Sequence, residues 1–185
     1  MLTRLARCLR RFVAERRGVA AVEFALVAPL LILFLLGTAE VGIYALLQLK
    51  VQHAADSMAD LTAREPELTA AKLNDLFDAV AHIVAPANAP ADRVVIVTCT
   101  GSRGSAVPHV LWRRSGAGTL SATSEIGTVN GRAHLPEDLV VRDGETVIVA
   151  EMYYRYRSSF LGLIPDNTIR RVAYYRSRLT TPDTL

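Results

Sequence analysis

The sequence Arg16-Arg17-Gly18-Val19-Ala20-Ala21-Val22-Glu23-Phe24 decides how this chain is organised. Its basic part ends at Gly18, and a long apolar run begins at the next residue. Glu23 is the fifth residue of that run, where a charge is costly and needs a partner. We interpret Gly18 as a processing point and Glu23 as an assembly contact, with the rest of the chain carried on the apolar segment.

The apolar run from Val19 to Leu49 is too long for the apolar part of a secretory signal. As one helix it would extend roughly 46 Å, whereas a bilayer core needs about 20 residues. We expect a long helix over residues 19–64, with a transmembrane segment at about 24–47. The preceding arginines predict a cytoplasmic N-terminus and an exported C-terminal domain, in a chain that crosses the membrane once.

Basic charge is concentrated at the N-terminus. Residues 1–18 hold six arginines and one glutamate, whereas the remainder holds 15 basic and 17 acidic residues. A nucleic-acid-binding protein needs a basic patch on its folded domain. The charge distribution therefore identifies residues 1–18 as a basic leader peptide and predicts no nucleic-acid partner.

Other residues of the apolar run suggest how the helix is used. Glu40 is a second carboxylate, and it either lies at the outer membrane interface, which we favour, or has a partner. Pro29 removes a backbone donor and is expected to bend or locally melt the helix. Gly37 and Gly42 offer small surfaces for transmembrane helix packing, although their spacing is not a clean GxxxG motif.

The run Gly18-Val-Ala-Ala-Val-Glu23-Phe24-Ala-Leu-Val-Ala-Pro29 resembles the start of class III signal-peptide proteins, the type IV pilin-like group. More narrowly it is similar to the TadE/TadG-like minor pilins, or pseudopilins, of tight-adherence (Flp-type) pilus systems. The resemblance implies that a prepilin peptidase cuts between Gly18 and Val19. It implies that Glu23, with Phe24 beside it, serves recognition or assembly.

The same resemblance implies a function and partners. The chain would be a minor pilin that takes part in pilus assembly, adhesion and biofilm formation. Its partners would be the prepilin peptidase, other pilin or pseudopilin subunits and the inner-membrane assembly platform, and assembly would carry it to the pilus or cell surface. The later segments Val110–Arg114, Val147–Tyr156 and Val172–Arg178 resemble strands of the same family.

Residues 65–185 predict a small exported α+β domain, in which one helix packs on a mostly antiparallel four-stranded sheet, as in type IV pilins. The Arg64-Glu65-Pro66 sequence ends the first helix, and a second helix follows from about residue 66–69 and covers one face of the sheet. After a linker at 86–90, strands are expected at 93–100, 107–113, 145–157 and 169–179. On the outer part of the first helix, the predicted apolar positions are Leu46, Leu49, Val51, Ala54, Ala55, Met58 and Leu61.

Three predictions concern individual side chains of the exported domain. Glu151 is expected to pair across strands with Arg170 or Arg171. Cys99 is expected to be a small buried hydrophobe in a strand. The strand tyrosines are expected to serve packing rather than ligand stacking.

The sequence contains no recognisable catalytic motif. The four histidines show no metal-ligand spacing, and Cys99 has no CxxC partner. We therefore predict a protein that is not an enzyme and that has no metal and no cofactor. The alternative from another class is a signal-anchored exported ligand-binding domain or enzyme that does not join a filament.

Overall fold

The structure, a computed structural model, describes residues 18–84, 90–102, 104, 107–158 and 160–177. Apart from Gly18 the basic leader lies outside these residues, as does most of the predicted linker. The described part contains two α-helices, a short 3-10 helix at Pro90–Asp92 and a four-stranded sheet. The predicted α+β fold is confirmed.

The longest element is α1 (Val19–Arg64). Its 46 residues extend roughly 69 Å, about twice the hydrocarbon thickness of a bilayer. It ends at Arg64 because Glu65 is extended, as a residue before proline tends to be. Among the described residues α1 is the one helix long and apolar enough to cross a membrane, and no part of its most apolar stretch is buried within the protein. It is therefore a candidate membrane span.

The sheet contains four strands in the order β2-β1-β3-β4, and each neighbouring pair is antiparallel. Their bounds are β1 (Arg93–Gly101), β2 (His109–Gly116), β3 (Thr146–Tyr156) and β4 (Asn167–Arg176). All four strands were predicted, with ends that differ by up to three residues. The ends differ because they depend on hydrogen bonds to the neighbouring strand, which residue type alone does not specify.

The outer half of α1 lies across one face of this sheet, mainly on β3 and β4. It buries a stripe of mostly small side chains against Ile148, Ala150 and Met152 of β3. The stripe consists of Leu47, Val51, Ala54, Ala55, Met58, Ala59 and Ala63. The helix that contains the candidate membrane span therefore also supplies much of the core beneath the sheet.

The second helix, α2 (Ala70–Ala81), begins where Thr69 accepts a hydrogen bond from the Lys72 backbone amide at 3.3 Å. Its buried side chains, Leu73, Phe77 and Val80, recur at helical spacing. It packs mainly against α1, with a smaller contact to β2. The prediction that α2 covers one face of the sheet holds at β2, where Phe77 lies against Gly116, and α1 occupies most of the same face.

Three leucines among the predicted apolar positions of α1 are exposed. Leu46, Leu49 and Leu61 point away from the sheet, whereas Val51 and Met58 are fully buried. Small residues on the buried stripe let the strands approach the helix closely, and the larger leucines remain outside. The buried face could not be predicted from residue type, because this part of α1 is apolar on more than one side.

The segment between β2 and β3 covers the opposite face of the sheet. Although it is mostly polar, it buries Leu120, Ile126, Ala133 and Val141. The Leu120 amide donates to the carbonyl of Arg93 at 3.0 Å, which ties the segment to the start of β1. As a result β3 is covered on both faces, and Arg155 is its one exposed residue.

Candidate functional site

The predicted cleavage site lies at the start of α1. Gly18 precedes the first helical residue, Val19, with φ −81° and ψ −15°. Any residue type can adopt this conformation, so glycine contributes small size here rather than conformational freedom. Gly18 is exposed, and among the described residues nothing beyond its chain neighbours lies within 4 Å of the place a Cβ would occupy. Cleavage between Gly18 and Val19 stays a prediction.

Glu23 and Phe24 lie one turn further along α1, and both are exposed. Within the described part of the chain Glu23 has no hydrogen-bond or ion-pair partner. The sheet packs on the other half of α1, so neither side chain contributes to the core. Both are available to another molecule, and their roles in recognition and assembly stay predictions.

Pro29 lies inside α1, and the helix continues through it. Of the two effects expected of this proline, local melting therefore does not occur. Pro29 has no N–H, so the Ala25 carbonyl loses its usual helical donor. In a membrane a neighbouring chain can supply a donor instead.

The two glycines of α1 differ in what faces them. A Cβ on Gly37 would lie 3.1 Å from Cδ1 of Leu163, in the connection between β3 and β4, whereas a Cβ on Gly42 would meet nothing within 4 Å. Gly37 is thus covered by a side chain of the same chain, whereas the surface at Gly42 is uncovered. Next to Gly37 is an open apolar groove of about 420 Å³, lined by Leu33, Phe34, Gly37, Thr38, Val41 and Leu163.

Glu40 is fully buried within the protein and has partners in the chain, whereas its position at the membrane interface stays a prediction. The Ser158 hydroxyl donates to one carboxylate oxygen, and the Leu161 amide donates to the other at 3.1 Å. The Gly162 amide in turn donates to Ser158 Oγ at 3.0 Å. The carboxylate therefore organises the start of the β3–β4 connection. Sequence reasoning missed this contact because its partners lie 118 and 121 residues away.

Two more side chains of α1 extend the contact with the sheet. Tyr44 packs edge-to-face against Tyr156 of β3, with ring centroids 4.8 Å apart. Gln48 accepts a hydrogen bond from Arg171 of β4 at 2.6 Å. Burial, followed by the nearby charge of Glu40, raises the pKa of Tyr156. Gly37, Glu40, Tyr44 and Gln48 thus form one stripe that fastens the sheet to the helix at three- and four-residue spacing.

A second buried carboxylate, Glu151, lies on the opposite face of β3. Arg170 of β4 contacts Glu151 Oε1 at 2.7 Å, which confirms the predicted cross-strand pair and selects Arg170 over Arg171. The Tyr153 hydroxyl and the Glu125 amide donate to the same oxygen. This cluster fastens the β2–β3 segment to the sheet.

The charges of the cluster influence one another. Burial alone would lower the pKa of Arg170, but hydrogen bonds to Glu151 and Tyr153 leave it above its ordinary value. Burial, followed by the charge of Glu151, raises the pKa of Tyr153 to about 12. Burial lowers the pKa of Arg113, although Glu151 opposes that effect. The groups are thus held as an ion-paired network with a protonated phenol.

The described residues contain no group of three or more histidine, cysteine, aspartate or glutamate side chains that could hold a metal ion. Cys99 is buried in β1, as predicted, and forms no disulfide within the described residues. The tyrosines of β3 are packed within the domain, as predicted, and Tyr153 also hydrogen-bonds to Glu151 and to the Thr123 carbonyl.

These features define an α+β protein with a candidate membrane span, in which one helix serves both the span and the core. Residues 18–60 match the model of a family described as TadE-like protein. The match begins at Gly18 and ends within α1, before the sheet. Comparisons with curated proteins and with solved structures gave no match. The match confirms the resemblance, and it implies a role among the components of a tight-adherence pilus system.

Proposed function

We propose that this chain is a minor pilin or pseudopilin that a prepilin peptidase processes after Gly18. The observation that supports this best is the coincidence of boundaries. The family match begins at Gly18, and α1 and the apolar run both begin at Val19. A peptidase acting at the cytoplasmic face would meet an exposed glycine at the end of a basic leader.

Assembly would use the first half of α1. Its large apolar side chains are exposed, so they can pack against the helices of other pilin subunits and of the inner-membrane assembly platform. A cut after Gly18 creates an amine at Val19, one turn from Glu23. On adjacent chains this amine and the Glu23 carboxylate would neutralise each other in apolar surroundings, which sets the axial offset between subunits.

The protein would act without catalysis, metal or cofactor. Its two fully buried glutamates, Glu40 and Glu151, are hydrogen-bonded by groups of the same chain and serve its architecture. In the inner membrane the exported domain would face the periplasm. After assembly it would be displayed on the pilus or cell surface, where it would contribute to adhesion and biofilm formation.

The test is N-terminal sequencing and intact mass of the protein produced with its prepilin peptidase. We expect a mature chain that begins at Val19. Gly18→Leu should abolish the cut, whereas Gly42→Leu, at another open glycine of α1, should leave it unchanged. A mature pool that begins at Met1 contradicts the proposal and favours a signal-anchored exported ligand-binding domain or enzyme.

A further inference from the structure

The connection between β3 and β4 exposes apolar side chains where a strand connection is usually polar. We call residues 160–164 the apolar loop. Phe160 and Leu163 are 55% and 59% exposed, and Leu161 is also exposed. No charged residue lies between Arg157 and Asp166. Such a cluster in a surface turn indicates contact with another apolar phase.

The apolar loop lies beside the candidate membrane span, not at the far end of the domain. Leu163 contacts Gly37 of α1 and shares an apolar groove with Leu33, Phe34 and Val41. These α1 residues are themselves among the most apolar of the chain, and the large ones are exposed. The loop therefore extends the lipid-facing surface of the helix sideways.

The depth of this contact follows from helix length. Counted from Val19, about 20 helical residues cross the hydrocarbon core, so the span would end near residue 38. The segment at about 24–47 that the sequence predicts ends further out. Under either assignment Gly37 lies within the apolar region or at its outer boundary, and Leu163, in contact with it, lies at the same depth.

The hydrogen bonds of Glu40 make this position tolerable. In lipid an unpaired backbone group or carboxylate costs several kcal/mol. Here the Leu161 amide and the Ser158 hydroxyl donate to Glu40, and the Gly162 amide donates to Ser158. One set of contacts thus satisfies both the loop backbone and the charge on the helix.

We propose that the apolar loop inserts into the leaflet at the outer end of the span, and that Glu40 holds it there. This inference rests on the membrane insertion of α1 in the proposed function. The domain would then be fixed at two points, by α1 and by the loop. The Tyr156 end of β3 would face the membrane, and the Thr146 end would face away from it.

The test uses the full chain in phosphatidylcholine vesicles brominated on their acyl chains, which quench nearby indoles. Phe160→Trp reports on the apolar loop. The matched control is Val140→Trp, because Val140 is 66% exposed and lies near the Arg176 end of the sheet. Trp112, the chain's own tryptophan, is nearly buried and common to both variants. We expect brominated lipid to quench most of the fluorescence that the tryptophan at position 160 adds, and none of the fluorescence that the tryptophan at position 140 adds.

Three results would overturn the inference. The first is an indole at position 160 that aqueous iodide quenches and brominated lipid does not, in a protein that resists carbonate extraction. The second is an indole at position 160 that neither quencher reaches until the protein is diluted with additional lipid. A second copy of the chain would then cover the loop, because dilution separates associated copies. The third is unchanged lipid quenching when Glu40→Ala is added, with Glu67→Ala as control. Carbonate extraction of the protein would instead contradict membrane insertion itself.

Discussion

Glu151 is a fully buried carboxylate whose partners come from three parts of the chain. Arg170 supplies the charge, Tyr153 a hydroxyl and Glu125 a backbone amide. A buried ion pair adds little net stability when compared with an apolar pair. Removal of one partner is destabilising, because it leaves the other charge buried without compensation. The cluster therefore matters most for holding the β2–β3 segment in one position.

Arg170→Met should destabilise the domain by about 3 kcal/mol, because it leaves the buried Glu151 carboxylate without its hydrogen-bonded ion-pair partner. The matched control is Arg155→Met, since Arg155 is exposed and has no partner within the described part of the chain. The control should change the free energy of unfolding by less than about 0.5 kcal/mol. Urea unfolding of the full chain in detergent measures both, and equal effects would contradict the assignment.

The phenol of Tyr153 predicts a pH dependence. Its pKa is about 12 in the folded chain, against an ordinary value of 10.0. Above pH 10 the unfolded chain loses this proton while the folded chain keeps it, so the free energy of unfolding falls as the pH rises toward about 12. Tyr153→Phe should reduce this slope in urea unfolding series and leave the slope below about pH 9 unchanged. An unaltered slope above pH 10 would count against the raised pKa.

Among the elements, the β2–β3 segment departs most from its expected role. It is mostly polar and lies between two predicted strands, but it folds back over the sheet. Gly118 permits this, because a Cβ there would lie 2.1 Å from the Arg93 carbonyl oxygen and 2.6 Å from that of Pro90. The next two amides, of Thr119 and Leu120, donate to these same oxygens at 2.8 and 3.0 Å.

Gly118→Ala should lower the free energy of unfolding by roughly 2 kcal/mol or more, because the clash is with backbone atoms that cannot rotate away. Gly42→Ala is the control, since a Cβ there meets nothing within 4 Å. Denaturant unfolding in detergent compares the two. A neutral Gly118→Ala would show that the segment does not approach Arg93 so closely.

At the scale of the whole molecule, the two halves of α1 have different surroundings. The first half is exposed and apolar, whereas the outer half contributes to the core beneath the sheet. A change at Glu23 should therefore affect association between chains without affecting the fold of the domain.

Glu23→Ala should abolish or strongly reduce piliation, because it removes the charge that would neutralise a Val19 amine on a neighbouring subunit. Membrane insertion and the urea unfolding midpoint of the domain should stay unchanged, since Glu23 makes no contact with the core in the described part of the chain. Pilus counts by electron microscopy measure the effect, with Glu67→Ala as the exposed control. Normal pilus numbers in the Glu23→Ala strain would remove this residue from assembly.

The sequence by itself determined the features that depend on neighbouring residues. Helical periodicity and the Glu65-Pro66 break located both helices, and β-branched runs located all four strands. The start of the family match at Gly18 could also be read from the sequence, because its signal is a local change from basic to apolar residues with a carboxylate at a set distance.

The tertiary structure alone decided which side of α1 is buried and what Glu40 does. The outer half of α1 is apolar on more than one side, so its buried stripe was selected by close approach to the sheet. Glu40 is satisfied by Ser158 and Leu161, which only the folded β3–β4 hairpin brings to it. The physical reason is that burial and hydrogen bonding of a charge depend on groups that the fold, not the adjacent sequence, places within reach.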